Sequence, residues 1–294
     1  MNTNTDDDET IKPEAHLQPE DDPEEFKIVN RRAFMATGNT KYLLPSDVED
    51  LKGFSLFIYH MCSCGISKSE IGSITSITLS ETELEKGIHV IDVGCGTGRW
   101  TLEMAEEYPN SVFVGIDCAD VFPKYANLPN CSFMKANTLE GLPFRDNTEW
   151  RAAMRELARI AKPGGLIELM ELALEIERPP PAFTAFYNGV FTTTTARGID
   201  LSILQHLPEL LTEAGLKNVQ NETFPFPLGW RGTVSNLSLS GMVMFFASMK
   251  PAARASMGVS DDEYEDIARQ CIKGFRERRS CIIGRLVHGQ KPKE

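Results

Sequence analysis

The sequence predicts an α/β fold built on a doubly wound, mostly parallel sheet. Three observations carry that expectation. Residues 88–100, IHVIDVGCGTGRW, pass from a brief β-branched run through alternating glycines into helical spacing. Residues 111–117, SVFVGID, repeat the apolar run and end on an acid, Asp117, 23 positions after Gly94. Further apolar runs at 131–136 and 166–170 are separated by a stretch of helical periodicity, so strands alternate with helices.

The first stretch organises the rest. Val90, Ile91 and Val93 supply the strand, and Trp100, Leu102, Met104 and Ala105 follow at helical spacing. Gly94, Gly96 and Gly98 between them let the backbone bend sharply and admit a ligand closely. A strand–turn–helix of this kind offers free N–H groups and the positive end of a helix. The open end of a parallel sheet is where such folds take nucleotides. Asp117 stands at the distance at which a carboxylate accepts hydrogen bonds from ribose hydroxyls across one β-α-β unit. A plain tight turn in an α/β core is the bland alternative, and the two acids Asp92 and Asp117 weigh against it.

Composition bounds the class. The chain has 294 residues, enough for one large α/β domain with additions or two small domains. No apolar run approaches the roughly 18–20 residues of a membrane span. The polar, acidic N-terminus predicts no signal or transit peptide. Seven cysteines lack paired spacing, which suggests a reducing compartment. Cys62 and Cys64 lie too close for the common zinc pattern, and no metal site is expected. The net charge is −12, but the first 25 residues hold ten acids against Lys12 alone, so the remainder is near −3. That near-neutral remainder argues against broad phosphate-backbone binding. A local basic patch at Arg276, Arg278 and Arg279 stays open.

Taken in order, residues 1–25 read as a disordered acidic tail broken by Pro13, Pro19 and Pro23. Phe26, Ile28, Val29, Phe34 and Met35 supply the first apolar anchors. Residues 74–80 are β-branched and strand-like. Residues 118–126 form a loop with a short element broken by Pro123. Thr148 is a plausible N-cap for a helix with Met154, Leu157, Ala158 and Ala161 on one face. Lys162, Pro163, Gly164 and Gly165 end that helix, and the next strand ends at Glu171. Pro179, Pro180 and Pro181 precede a helix over 182–196 with an aromatic face of Phe183, Phe186, Tyr187 and Phe191. Asp200 caps a helix over 201–214 that Gly215 stops. A strand over 217–226, an apolar helix over 234–250 and a capping box of Ser260 with Glu263 follow. The last strand spans 281–289.

The run DVGCGTG at 92–98 resembles motif I of the class I S-adenosylmethionine-dependent methyltransferases. The wider run DVGCGTGRWTLEMAEE, with GLPF at 141–144 and KPGGLIEL at 162–169, is similar to fungal methyltransferase-domain proteins, including the secondary-metabolism regulators partnered by velvet proteins. The likeness covers roughly residues 41–50 and 88–294 and loosens after Gly165. It implies a Rossmann-like sheet of order 3-2-1-4-5-7-6, with an antiparallel last strand and helical lid insertions. It places a tail at 1–40, a cofactor half at 88–171 and a lid and C-terminal part at 172–294, within a domain spanning 41–294.

The resemblance also implies the cofactor, S-adenosylmethionine, and its ligands. Gly94, Cys95, Gly96 and Gly98 wrap the methionine and ribose portion, and Asp92 orders that loop or meets the methionine amine. Asp117 takes the ribose hydroxyls, Cys118 and Thr138 flank the adenine, and Asn137 meets its edge. His60 is the weak counterpart of a family histidine. No catalytic base stands out; Glu171, Tyr187 and His206 are candidates by location alone.

One departure matters. The family has a fourth strand after GLPF, whereas this chain passes directly from Thr148 into the next helix. The expectation is a sheet with one central strand deleted, leaving strands 1 and 5 without their usual partner. Strand 5 closing on strand 1, or residues 74–79 filling the gap, are the two ways to satisfy those edges, and a transcript lacking an exon is the third explanation. The functional expectation is an intracellular methyltransferase, cytoplasmic or nuclear, acting on a small molecule or a protein, and the resemblance points to secondary metabolism. The alternative is a methyltransferase-like regulatory binding protein with little turnover. No direct nucleic-acid or membrane partner is expected. A nicotinamide dehydrogenase is disfavoured, since no catalytic Tyr-x-x-x-Lys is visible.

Overall fold

The computed structural model describes residues 26–29, 32–35, 81–136 and 148–294. Strands β1 (Phe26–Val29) and β2 (Arg32–Met35) form an antiparallel hairpin inside the segment assigned to the tail. The readings made at residues 1–25, His60, Cys62, Cys64, 74–80, Asn137, Thr138 and 141–147 lie outside the described residues.

Helix α1 (Glu81–Lys86), β3 (His89–Val93), α2 (Arg99–Glu107), β4 (Val112–Asp117) and β5 (Cys131–Lys135) follow. The three strands form a parallel sheet in the order β3-β4-β5. Its inner face carries Val90, Phe113, Cys131 and Phe133, which pack against Leu84 of α1 and Met104 and Ala105 of α2. β-Branched and aromatic side chains alternate to the faces of a strand, so one register sets both faces. Between β4 and β5, residues 118–130 contain neither helix nor strand, so the short element expected there is absent.

Helix α3 (Thr148–Ile160) includes Thr148 as its first residue, and Met154 and Ala158 are buried on the predicted face. Strand β6 (Leu166–Glu177) runs six residues beyond the expected end at Glu171, with a register shift between Leu172 and Ile176. Helix α4 (Pro181–Ala196) starts on Pro181, whose fixed φ suits a first helical position.

Asp200 caps as predicted, its carboxylate accepting from the Ser202 N–H at 2.9 Å. The helix expected over 201–214 is instead a 3-10 turn (Leu201–His206) and helix α5 (Leu207–Glu213), because Pro208 cannot donate within a continuous helix and begins the second piece. Strand β7 (Lys217–Pro227) precedes α6 (Gly232–Met257), which carries Pro251 internally and runs longer at both ends than expected. The capping box of Ser260 and Glu263 opens α7 (Asp261–Glu277), and β8 (Cys281–Gln290) completes the described fold.

Strands β6, β8 and β7 form a second, antiparallel sheet with β8 central. One face, with Phe224, Phe226, Ile282 and Leu286, packs against α4, α6 and α7. The other, with Ile167, Leu169 and Val287, packs against α3 and α5. The two orders match the expected sheet on either side of its fourth strand. Among the described residues β3 and β6 are not paired, so strand 5 does not close up against strand 1.

Candidate cofactor site

The turn after β3 is held by its neighbour strand. The Gly94 and Cys95 N–H groups both donate to the Ile116 carbonyl, at 2.8 and 3.0 Å. The Gly98 N–H donates to the Cys95 carbonyl at 2.9 Å, and α2 starts from Gly98. Gly98 has φ near 70°, and a Cβ there would stand 2.3 Å from the Phe133 ring. Gly94 has φ near 79° with nothing within 4 Å of a Cβ, so its glycine serves the backbone and leaves room above the strand end.

Asp117 closes the site. Its Oδ2 accepts from the Gly96 N–H at 2.8 Å and its Oδ1 from the Ala119 N–H at 2.9 Å. Each carboxylate oxygen has a second lone pair, so the group remains able to accept from a ligand hydroxyl. Asp92 accepts from the Thr101 hydroxyl at 2.6 Å, which ties the end of β3 to the first turn of α2. Burial, more than the nearby Asp117 charge, pushes the Asp92 carboxyl up, and the Thr101 bond opposes it.

Burial likewise pushes the Cys95 thiol up, with the carboxylates of Asp92 and Asp117 adding to it. A thiol so raised is protonated at neutral pH and is no nucleophile. Cys118 follows Asp117 directly, and burial and Asp117 raise its thiol too. The rings of Phe122 and Phe133 stack with centroids 5.4 Å apart beside the turn.

The structure therefore brings Asp92, Gly94, Cys95, Gly96, Gly98, Asp117 and Cys118 together at the ends of β3 and β4. Thr101 and Phe122 belong to this constellation and were missed. Thr101 had a legible signal, a hydroxyl in the first helical turn after the acid, whereas Phe122 sits in a loop with none. Tyr187 packs between Phe183 and Phe191 on α4, and His206 is exposed at the end of the 3-10 turn; neither meets the glycine turn through a described contact. Arg279, one of the three arginines of the basic patch left open by the sequence, has positive φ, and its backbone carbonyl accepts from the Arg178 guanidinium. Among the described residues no three His, Cys, Asp or Glu side chains group as a metal site. No described helix is long and apolar enough to cross a membrane.

A glycine turn braced on a carboxylate, set at the open end of a parallel sheet, defines a nucleotide-type site in an α/β protein. The family comparison is specific: a model described as "Methyltransferase domain" matches residues 73–221, just over half of the chain, and the chain belongs to that family.

A demethylmenaquinone methyltransferase of Listeria monocytogenes is 30% identical over 136 residues, covering 39% of this chain and 56% of the relative. Its namesake from Staphylococcus aureus is 28% identical over 130 residues, covering 37% and 52%. The chain thus spans about half the length of the curated relatives it matches. Among solved structures, a Haemonchus contortus phosphoethanolamine N-methyltransferase is 14% identical at a TM-score of 0.40, covering 70% of this chain and 49% of its own. An Archaeoglobus fulgidus SAM-dependent methyltransferase is 15% identical at 0.39, covering 71% and 88%.

Proposed function

We propose that this chain binds S-adenosylmethionine at the glycine turn and transfers its methyl group to a small-molecule or protein acceptor. The observation that carries this reading is the Asp117 carboxylate. It lies 2.8 Å from the Gly96 N–H, which puts a hydroxyl-accepting group against a backbone cradle. Gly94, Cys95, Gly96 and Gly98 hold the methionine and ribose portion, Asp92 orders the turn through Thr101, and Asp117 takes the ribose hydroxyls. Cys118 flanks the adenine. Asn137 and Thr138 complete that end by resemblance and lie outside the described residues.

The bound cofactor supplies an activated methyl on sulfur. The protein's part is to align the nucleophile with it and to exclude water. The velvet-partner type and a place in secondary metabolism rest on the sequence resemblance.

A second reading has its own support. The 136 positions aligned with the Listeria relative correspond to 39% of a 294-residue chain, about 115 residues, so about 20 aligned positions have no counterpart here. A strand with its loop has that length, and among the described residues β3 and β6 are not paired with each other. We read these together as the loss of the fourth strand, which favours a methyltransferase-like binding protein with little turnover.

Calorimetric titration with S-adenosylmethionine tests both readings: a folded protein that takes up none sinks them together. Asp117→Ala is expected to weaken binding by 10- to 100-fold, on the order of 1.4–2.8 kcal/mol; unchanged affinity would remove Asp117 from the site. Sequencing transcripts across codons 148–149 checks the lost strand.

A further inference from the structure

The C-terminal end of α7 gathers more positive charge than its own packing uses. Lys273, Arg276, Arg278 and Arg279 follow one another there, with Glu277 the one acid among them. Two other segments are tied to the same end. Arg178, just past β6, donates from Nε and Nη2 to the Arg279 carbonyl at 3.0 and 2.6 Å, and its own carbonyl accepts from the Ser280 hydroxyl at 2.7 Å. The turn before α6 is held by Trp230, whose Nε1–H donates to the Ser280 carbonyl at 2.7 Å. A Cβ at Gly229 would stand 3.0 Å from Arg276 Nε, so that turn, with Arg231 in it, lies against Arg276.

These contacts close a collar of six cations around one helix end: Lys273, Arg276, Arg278, Arg279, Arg178 and Arg231. Two acids join it, Glu177 at 3.2 Å from Arg178 and Glu277 at 3.7 Å from Lys273. Six cations less two acids leave +4. A helix C-terminus carries only about half a negative charge, so the dipole of α7 does not balance the collar. Among the described residues Arg231, Arg276, Arg278 and Arg279 form no ion pair, and all four are exposed. On the α4 side, Lys273 and Arg278 line a cavity of about 300 Å³ with Pro180, Pro181 and Gly274.

The collar stands out against its own chain. Residues 26–294 sum to −3, so outside the collar they sum to −7. Like charges gathered this closely repel one another unless an anion lies among them. The acidic run at 261–266 is already engaged, since Lys250, Arg254 and Arg269 pair with Asp261, Glu265 and Asp266. The first 25 residues are the complementary stretch, with ten acids against Lys12 and a net charge of −9. Attachment to the same chain raises their effective concentration above that of a free partner, so any other polyanion has to displace them.

We propose that the acidic segment 1–25 docks on this collar in its own chain. Each exposed ion pair is weak, so the contact depends on the number of charges and on salt rather than on one geometry. The proposal is independent of the cofactor reading, because the collar is built without the glycine turn.

The test uses the full chain with nitrogen-15 arginine, whose guanidinium Nε–H groups give separate NMR signals. Arg276→Lys and Arg278→Lys assign the two collar signals. The native protein is compared with a variant whose ten acids at 1–25 are replaced by their amides. The Arg276 and Arg278 signals are expected to differ between the two proteins. Those of Arg99 and Arg159, paired with Glu103 and Glu156, are expected to stay in place. In about 1 M salt, where the screening length is about 3 Å, the difference is expected to vanish. A peptide of residues 1–25 is expected to bind the variant about tenfold more tightly than the native chain, whose own segment competes.

Collar signals that are the same in both proteins overturn the proposal, as does a difference that persists in high salt. A difference lost on dilution assigns the contact to a second copy and overturns it too. A DNA duplex that binds the variant more tightly than the peptide does makes the corner a nucleic-acid surface, which is equally incompatible with it.

Discussion

The two three-stranded sheets among the described residues are stabilised differently. The antiparallel sheet has its central strand β8 buried on both faces, by α4, α6 and α7 on one side and α3 and α5 on the other. Among the described residues the parallel sheet is packed on one face. On its other face Ile91 is 45% exposed, Val93 39% and Met134 51%.

Parallel sheets are ordinarily covered on both sides, and their strands are apolar throughout for that reason. The β3–β5 sequences obey the rule while their described surroundings do not. The difference teaches where the stability of the described fold lies. The C-terminal sheet is a self-sufficient core, whereas the cofactor sheet holds together through one helix layer and the bonds of its glycine turn.

The largest test of this contrast is Phe226→Ala. Phe226 is fully buried, and Gly284, diagonally across on β8, leaves room for its ring. The expected loss is about 3–5 kcal/mol, read by chemical denaturation. A loss under 1 kcal/mol would mean that the antiparallel sheet is not the main core.

Glu171→Gln is expected to act in the opposite sense, and only above acid pH. Burial pushes the folded carboxyl from the ordinary 4.5 up to about 7, so between those values the folded chain keeps a proton that the unfolded chain has lost. Stability of the native protein therefore falls as pH rises through that window and stays lower above it. The variant removes this penalty, a gain of at most about 3 kcal/mol at pH 8 and little at pH 4. Melting curves at the two pH values check it, and equal shifts at both would refute a buried ionisation.

Thr101→Val probes the parallel sheet. It leaves the half-buried Asp92 carboxylate without its 2.6 Å hydroxyl donor, at an expected cost of roughly 1–3 kcal/mol. The Asp92 carboxyl rises further, so the loss grows from acid to neutral pH. Hydrogen exchange is expected to quicken in β3 and α2 while β8 stays protected; uniform quickening would show that the two sheets unfold as one unit.

The smallest effect belongs to Ile91→Thr on the bare face, within about 0.5 kcal/mol of the native protein. A cost above 2 kcal/mol would mean that this face is covered in solution.

Much of the fold was legible because it is written locally. The glycine turn, β3, α2, β4 and the capping box of Ser260 depend on side chains within a few positions of one another. So does Asp117 as an acceptor, since one β-α-β unit fixes its distance from Gly94. The misplaced boundaries arose where tertiary packing overrides local signals. β6 continues past Glu171 because β8 offers it a partner to Cys281, and α6 passes through Pro251 because its buried face extends to Ala253. Pro208 had the opposite effect, dividing a helix that the apolar spacing alone made continuous.

The sequence by itself determined the nucleotide-type turn and its carboxylate, because short-range spacing and β-branched runs set those, whereas the strand order was implied by the family resemblance. Only the tertiary structure decided that, among the described residues, the strands pair as a parallel sheet and a separate antiparallel one. Pairing is a property of neighbours in space, and nothing in the residues of β3 or β6 states which edge is filled. It alone also decided the state of Glu171. The burial that raises its carboxyl exists only once β6 and β8 are in register.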